Sequence, residues 1–136
     1  MRIVFDTNIL LSALMVRGTP ADRLYGEWRH GGFELASAER QLEELSRVAR
    51  RSFFQARIKP SEIGRMVNDI RRLAVMCESL LSVAASSGAD DGFLLALAQV
   101  AEADYLVVGD ESALLTLKRH GGTRIVTAGD VVALLG

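Results

Sequence analysis

The sequence has few of the features that would cross-link a fold by disulfides or anchor it in a membrane. Its 136 residues include one cysteine, Cys77, so no disulfide can form within the chain and a cytoplasmic location is expected. The most apolar stretch, Gly92–Ala101, is far shorter than the roughly 18 residues that a transmembrane helix needs. Asp6 and Asn8 interrupt the apolar stretch near the start, which argues against a signal peptide. We therefore expect no association with a membrane.

The composition is that of a single folded domain. Apolar residues make up 49% of the chain and charged residues 24%, which excludes a disordered protein and suffices for one hydrophobic core. No linker, internal repeat or low-complexity stretch divides the sequence. Residues 1–136 are therefore predicted to form one domain.

Charges of opposite sign are separated along the chain, although the formal net charge is only −1. Residues 40–72 contain nine basic and four acidic residues, whereas residues 73–117 contain seven acidic residues and no Lys or Arg. The basic stretch suits a polyanion such as a nucleic-acid backbone, and the acidic stretch suits a cation. The alternative is that both are ordinary solvated helix faces. The candidates for nucleic-acid contact are Arg47, Arg50, Arg51 and Arg57.

Short β-branched runs alternate with stretches of helical period, which predicts a parallel sheet covered on both faces. Right-handed crossovers then give a three-layer α/β/α sandwich with about five strands. Asn8 and Ser37 are predicted to cap the helices that follow the first two strands. The predicted strands are Arg2–Phe5, Phe33–Ala36, Leu80–Ala84, Tyr105–Val108 and Arg124–Val126. The predicted helices are Ile9–Val16, Ala21–Arg29, one after Ser37, one from Pro60, Asp91–Ala103, Ser112–Lys118 and Ala128–Leu135.

Acidic residues follow several of these strands. In an open parallel sheet the ligand site lies outside the carboxyl ends of the strands. Asp6 directly follows the first strand, and Asp110 follows the strand Tyr105–Val108 by two residues. Asp90 and Asp91 open the helix after the predicted third strand. Taken singly, each has an ordinary explanation as a helix cap or a turn residue, but together they are expected at one edge of the sheet.

A fourth acid comes from the helix after the second strand. At 100° per residue, Glu44 is about 110° from the centre of that helix's apolar stripe and Glu43 about 150°. Glu44 is therefore predicted to border the buried face and Glu43 to point to solvent. Four carboxylates brought close repel one another unless a cation neutralises them, and all-oxygen ligation favours Mg²⁺ or Mn²⁺. Such a site suits metal-assisted cleavage of a phosphodiester.

Four stretches occur in a characteristic order: Ile3–Asn8, Glu44–Val48, Asp90–Ala98 and Ala103–Asp110. In this order they resemble the PIN-domain nucleases, most closely the bacterial group regarded as toxin components of toxin–antitoxin pairs. The resemblance implies a Mg²⁺- or Mn²⁺-dependent endoribonuclease that is often a homodimer and is inhibited by a cognate antitoxin protein. The basic stretch would then contact RNA. A further family-like stretch is Arg124–Thr127.

The resemblance also assigns roles to particular residues. It makes Asp6, Glu44, Asp91 and Asp110 the family's catalytic and metal-binding acids, and Asn8 the residue that helps to order the first of them. Asp91 matches because it lies seven residues before the alanine of the family's Leu-Ala pair, which leaves its neighbour Asp90 a supporting role.

The sequence departs from the resemblance at two places. Val108 stands where relatives commonly carry Thr, and Gly88-Ala89 stand where this group often has Asp-Pro before the paired acids. These departures keep a second interpretation open, a weakly active or inactive PIN scaffold that binds RNA or protein. A third interpretation, a Mg²⁺-binding phospho-acceptor receiver module, expects a Lys near the end of the last strand, and none is present there.

Overall fold

The structure is a computed structural model that describes residues 1–78 and 91–136. Within these residues a six-stranded sheet has the order β3-β2-β1-β4-β6-β5. All described strand pairs are parallel except β5–β6, which form an antiparallel hairpin. The strands are β1 (Arg2–Phe5), β2 (Glu34–Ser37), β3 (Val75–Met76), β4 (Tyr105–Val108), β5 (Arg119–His120) and β6 (Thr123–Thr127).

The helices cover both faces of this sheet. They are α1 (Thr7–Met15), α2 (Pro20–Arg29), α3 (Glu39–Val48), α4 (Ser52–Gln55), α5 (Pro60–Leu73), α6 (Asp91–Val100) and α7 (Ala128–Leu135), with a 3₁₀ helix at Ala113–Leu117. Within residues 1–78 and 91–136, no helix combines the length and apolar character needed to cross a bilayer.

Alternation along β1 divides the core into two layers. Ile3 and Phe5 point to one face, where they join a buried cluster with residues of α1, α2, α3, α5 and α7. Val4 points to the other face and packs with residues of α6 and the 3₁₀ helix. Side chains of β1 are buried on both faces because the sheet is covered on both. The predicted three-layer α/β/α class is confirmed, with six strands in place of about five.

Most predicted elements are found, several with different bounds: β2 and α1 are shifted along the chain, and α2 and β6 are longer than predicted. β1, β4 and α7 have the predicted bounds, whereas α6 ends at Val100 before a turn. The predicted strand Leu80–Ala84 lies outside the described residues, and the described third strand is the two-residue β3. The hairpin strand β5 and the short helix α4 were not predicted, because two to four residues carry too little periodicity to be recognised.

Both predicted helix caps are wrong. Asp6, not Asn8, is the N-cap of α1, and its carboxylate accepts a hydrogen bond from the backbone N–H of Asn8. Ser37 is the last residue of β2, and α3 has Ala38 at its N-cap position without a side-chain cap. Ser37 is buried and donates its hydroxyl hydrogen bond to Gln41 instead. The hydroxyl that was predicted to cap the helix therefore makes a hydrogen bond within the core.

Candidate active site

The strand order reverses between β1 and β4, which makes this point the natural crevice of the sheet. The chain leaves β1 for β2 and β3 on one side, and later builds β4, β6 and β5 on the other. In open α/β sheets, ligands bind outside the carboxyl ends of the strands at such a point. Asp6 follows β1 here and Gly109 follows β4. The backbone N–H of Asp6 donates to the carbonyl of Val107 at 2.9 Å, so the two strand ends are held together.

A cleft of about 350 Å³ opens at this point. It brings together three acids from three different elements: Asp6 after β1, Asp91 at the first position of α6, and Glu111 in the turn after β4. Asp91 and Glu111 are exposed, whereas Asp6 is half-buried. The remaining lining residues are Asn8, Gly109, Ser112 and Ala113.

The electrostatics of the cleft centre on Asp6. Burial raises the pKa of Asp6 above its ordinary value, and the nearby negative charge of Asp91 raises the pKa further. The backbone N–H groups of Asn8 and Thr7 act in the opposite direction by favouring the charged carboxylate. Asp6 and Asp91 are therefore close enough to repel each other, and a cation between them would relieve this repulsion.

Glu44 and Asp110 do not line the cleft. Glu44 lies on α3 with its side chain only 16% exposed, 3.8 Å from the guanidinium of Arg47, while Glu43 is exposed as predicted. Asp110 is exposed in the turn after β4, between the lining residues Gly109 and Glu111. Within residues 1–78 and 91–136, no three His, Cys, Asp or Glu side chains are grouped as a metal centre. Asp90 lies outside the described residues.

Two residues of this region were missed by sequence reasoning. Glu111 enters the cleft because the turn after β4 folds back, with the N–H of Ser112 donating to the carbonyl of Gly109 at 3.0 Å. The adjacent acids Asp110 and Glu111 are the only sequence signal for it. Gln41 is fully buried beside the end of β1 and donates to the carbonyl of Phe5 at 2.6 Å. A single polar residue on the apolar face of a predicted helix was the signal for Gln41.

Comparison with known families gives a match to the PIN domain model over residues 2–112. The chain belongs to the PIN domain family. PIN domains are generally metal-dependent nucleases and typically use divalent ions. No curated protein matches the chain. The matched range contains all four acids of the resemblance and the whole of the cleft except Ala113.

The side chains of the cleft suit the ion that PIN domains typically use. Carboxylate oxygens are hard donors, and Mg²⁺ is commonly held by one or two carboxylates, with water and substrate phosphates completing its coordination. Asp6 and Asp91 supply two carboxylates, and a cation would offset the cost of burying the charge of Asp6. These two residues would hold the ion, while Glu111 and the amide of Asn8 line the same space.

The basic stretch lies apart from the cleft. Glu39 at the start of α3 forms an ion pair with Arg71 near the end of α5, so the two helices run antiparallel. At the opposite end of these two helices, where α3 ends and α5 begins, lies an apolar groove of about 470 Å³. Its lining residues include Arg50. Arg50 follows the end of α3, six residues beyond Glu44.

The other candidate arginines extend from this end of α3. Arg47 is exposed beside Glu44, and Arg51 is the exposed N-cap residue of α4. The guanidinium of Arg57 stacks on the ring of Phe53, 3.9 Å from its centroid, and the ring itself is half exposed. None of these four arginines, which we call the arginine track, lines the cleft.

Replacing Asp6 by Asn is expected to stabilise the metal-free protein. The substituted amide keeps an oxygen acceptor for the N–H of Asn8 but cannot carry the buried charge. Because the folded-state pKa of Asp6 is raised, the folded wild type binds more protons than the unfolded chain, and its stability rises as pH falls through that pKa. The melting temperature of Asp6→Asn should exceed that of the wild type at neutral pH, and the difference should shrink towards about pH 4.

The measurement is thermal melting in chelator across this pH range, with Asp104→Asn as the control. Asp104 is exposed and likewise accepts a backbone hydrogen bond, from the N–H of Arg2 at 2.8 Å. The control should show no comparable gain at neutral pH. If the difference in melting temperature between Asp6→Asn and the wild type does not change with pH, the charge of Asp6 does not destabilise the fold.

Proposed function

We propose that this protein is a Mg²⁺- or Mn²⁺-dependent endoribonuclease that hydrolyses RNA at the cleft between β1 and β4. The observation that carries the proposal is the juxtaposition of Asp6 and Asp91 at the switch point of the sheet, in a chain of the PIN domain family. Each comes from a different element, so only the fold brings them together. Two carboxylates that repel each other are expected at a site that binds a cation, because the cation neutralises their charge.

The bound ion would stabilise the negative charge that develops on the phosphate, and it would lower the pKa of a bound water molecule. The chain's own part is to hold the oxygen donors in place. Asp6 is fixed by the N–H of Asn8 on its carboxylate and by its own N–H on Val107. Asp91 is placed by the start of α6, where the positive end of the helix dipole favours its charge. We assign Asp110 and Glu44 to the same site as outer acids that act from outside the lining of the cleft.

The RNA strand would pass from the cleft along α3. Arg47, Arg50, Arg51 and Arg57 would contact its phosphates, and the exposed ring of Phe53 offers a surface on which a base can stack. This track gives the basic stretch a role that the cleft itself does not require.

At the level of the cell, we propose the toxin of a bacterial toxin–antitoxin pair, acting as a homodimer and inhibited by a cognate antitoxin. The support is the sequence resemblance to that group of PIN proteins, together with a basic track separate from the cleft that an inhibitor can also cover.

A second candidate is a PIN scaffold that binds RNA without cutting it. It is favoured by one observation: although three acids line the cleft, no three metal-binding side chains of the described residues are grouped so that they could hold one ion. The buried Val108 at the end of β4 is consistent with it, because Val108 lacks the hydroxyl of the Thr that relatives commonly carry at this position. The receiver-module interpretation has no support, because the chain belongs to the PIN domain family.

The wild-type protein is expected to cleave single-stranded RNA with Mg²⁺ or Mn²⁺ and not with chelator. Asp6→Asn and Asp91→Asn should each reduce the cleavage rate by roughly 100-fold or more, because each removes a charged oxygen donor. Glu44→Gln and Asp110→Asn should reduce it by about 10-fold or more. The measurement is the initial rate on a labelled RNA at fixed metal concentration.

Glu43→Gln is the matched control for Glu44→Gln, since Glu43 is the exposed neighbour on the same helix. It should retain full activity. Metal-dependent cleavage that survives both Asp6→Asn and Asp91→Asn would disprove the site. RNA binding by the wild type without cleavage under any divalent ion would favour the scaffold.

RNA binding is expected to weaken with salt in proportion to the phosphates contacted. Replacing Arg47, Arg50, Arg51 and Arg57 by Ala should flatten the plot of log K against log salt concentration by about 0.7 for each lost contact. A quadruple Ala variant at Arg17, Arg23, Arg119 and Arg124 has the same change in net charge on other exposed arginines. Equal slopes for the two quadruple variants, measured by fluorescence anisotropy, would exclude the arginine track as the RNA contact.

Induced expression of the wild-type protein in a bacterial host is expected to arrest growth, because cleavage of cellular RNA stops protein synthesis. Asp6→Asn should abolish the arrest at an equal protein level, which immunoblotting checks. Arrest by both proteins would mean that any toxicity does not come from the cleft, and absence of arrest by the wild type would contradict the toxin role.

A further inference from the structure

Strand β1 separates from β2 one residue before it separates from β4. Its register with β2 ends at the pair Val4 and Ala36, whereas its register with β4 continues to Phe5 and Val107. The N–H of Asp6 extends the β4 side further by donating to the carbonyl of Val107. The sheet therefore splits next to Asp6, on the side of β2.

The side chain of Gln41 occupies this split. In the peptide between Phe5 and Asp6 the N–H points towards β4, so the carbonyl of Phe5 points towards the side that β2 has left. The Nε2 of Gln41 donates to this carbonyl at 2.6 Å, and both residues are 1% exposed. Gln41 replaces the ladder partner that β2 no longer supplies. The peptide that carries Asp6 is thus held from both sides.

A second buried hydrogen bond fixes the orientation of the Gln41 amide. The hydroxyl of Ser37, at the end of β2, donates to the Oε1 of Gln41 at 2.6 Å. A carbonyl only accepts hydrogen bonds, so the NH₂ end of the amide must face Phe5 and the oxygen must face Ser37. The two bonds join the ends of β1 and β2 through one side chain of α3.

Gln41 also joins α3 to the sheet through its hydrogen bonds to the ends of β1 and β2. Glu44 follows it by three residues, so the two share one side of the helix. We propose that Gln41 is a positioning residue that holds Asp6 and Glu44 at a fixed separation across the carboxyl edge of the sheet. The proposal rests on the proposed function, because it assumes that these two acids serve one metal site.

A purely structural role for Gln41 predicts a different outcome from a positioning role. An apolar residue at this place leaves the buried carbonyl of Phe5 without a partner, so the peptide before Asp6 must turn or admit water. Any such movement displaces the carboxylate of Asp6 directly. A positioning role therefore predicts a loss of metal affinity, while a structural role predicts a loss of stability alone.

The experiment compares Mn²⁺ affinity, measured by isothermal titration calorimetry, with the melting temperature in chelator. Gln41→Leu should weaken Mn²⁺ binding by roughly 10- to 100-fold, the range typical of outer-shell partners of metal ligands. The matched control is Thr123→Val. Thr123 is also buried, and its hydroxyl donates to the carbonyl of Ala103 at 2.6 Å, at the amino end of β4. The control should lower the melting temperature and leave Mn²⁺ affinity unchanged.

Ser37→Ala keeps the proposal testable if Gln41→Leu does not fold. It removes the bond that orients the amide, and it should weaken Mn²⁺ binding by about threefold or more relative to Thr123→Val. Wild-type affinity in Gln41→Leu, or in Ser37→Ala if only that variant folds, would overturn the positioning role while leaving the metal site intact. If the wild type itself gives no Mn²⁺ binding, the proposed function fails and the positioning role fails with it.

Discussion

The pairing of β1 with β4 at the centre of the sheet is the constraint on which the candidate site depends. These strands are distant in sequence, and their register brings the residue after Phe5 level with the residues after Val107. The switch in strand order at this pair sends the chain to opposite sides of the junction, so a cleft opens at the strand ends. Asp6 then lies in the cleft because β1 ends one residue before it.

The same constraint makes the cleft electrostatically unfavourable for the fold alone. Asp6 is half-buried beside Asp91, and burial and charge together raise its pKa. The chain offsets part of this cost with the N–H groups at the start of α1, which favour a negative charge at that position. A site of this kind is less stable empty than filled, which is typical of carboxylates arranged for a cation.

Sequence reasoning could predict the parts of the structure that depend on local pattern. The buried runs of β1 and β4 gave the correct bounds because β-branched residues between polar ends leave little ambiguity. The 3.6-residue period also separated the half-buried Glu44 from the exposed Glu43. The acids Asp6 and Asp91 were predicted at one sheet edge because parallel strands share the direction of their carboxyl ends.

The parts that failed depend on contacts between distant residues. Serine is a common helix-capping residue, but the hydroxyl of Ser37 donates a hydrogen bond to Gln41 within the core. Glu111 was not predicted, because it lines the cleft through the way one turn folds, which no periodicity encodes. The short strand Val75–Met76 exists only because the end of β2 supplies its partner. Sequence pattern therefore predicts elements and edges, whereas side-chain neighbours at the site require the fold.

The central claim is that Asp6 and Asp91 together form a cation site at the junction of β1 and β4. Anomalous diffraction from crystals soaked in Mn²⁺ tests it most directly, because the ion is located without reference to activity. The account predicts an anomalous peak within about 2.5 Å of carboxylate oxygens of both Asp6 and Asp91. An Mn²⁺ peak bound elsewhere on the protein, with none between these two residues at saturating concentration, would contradict it.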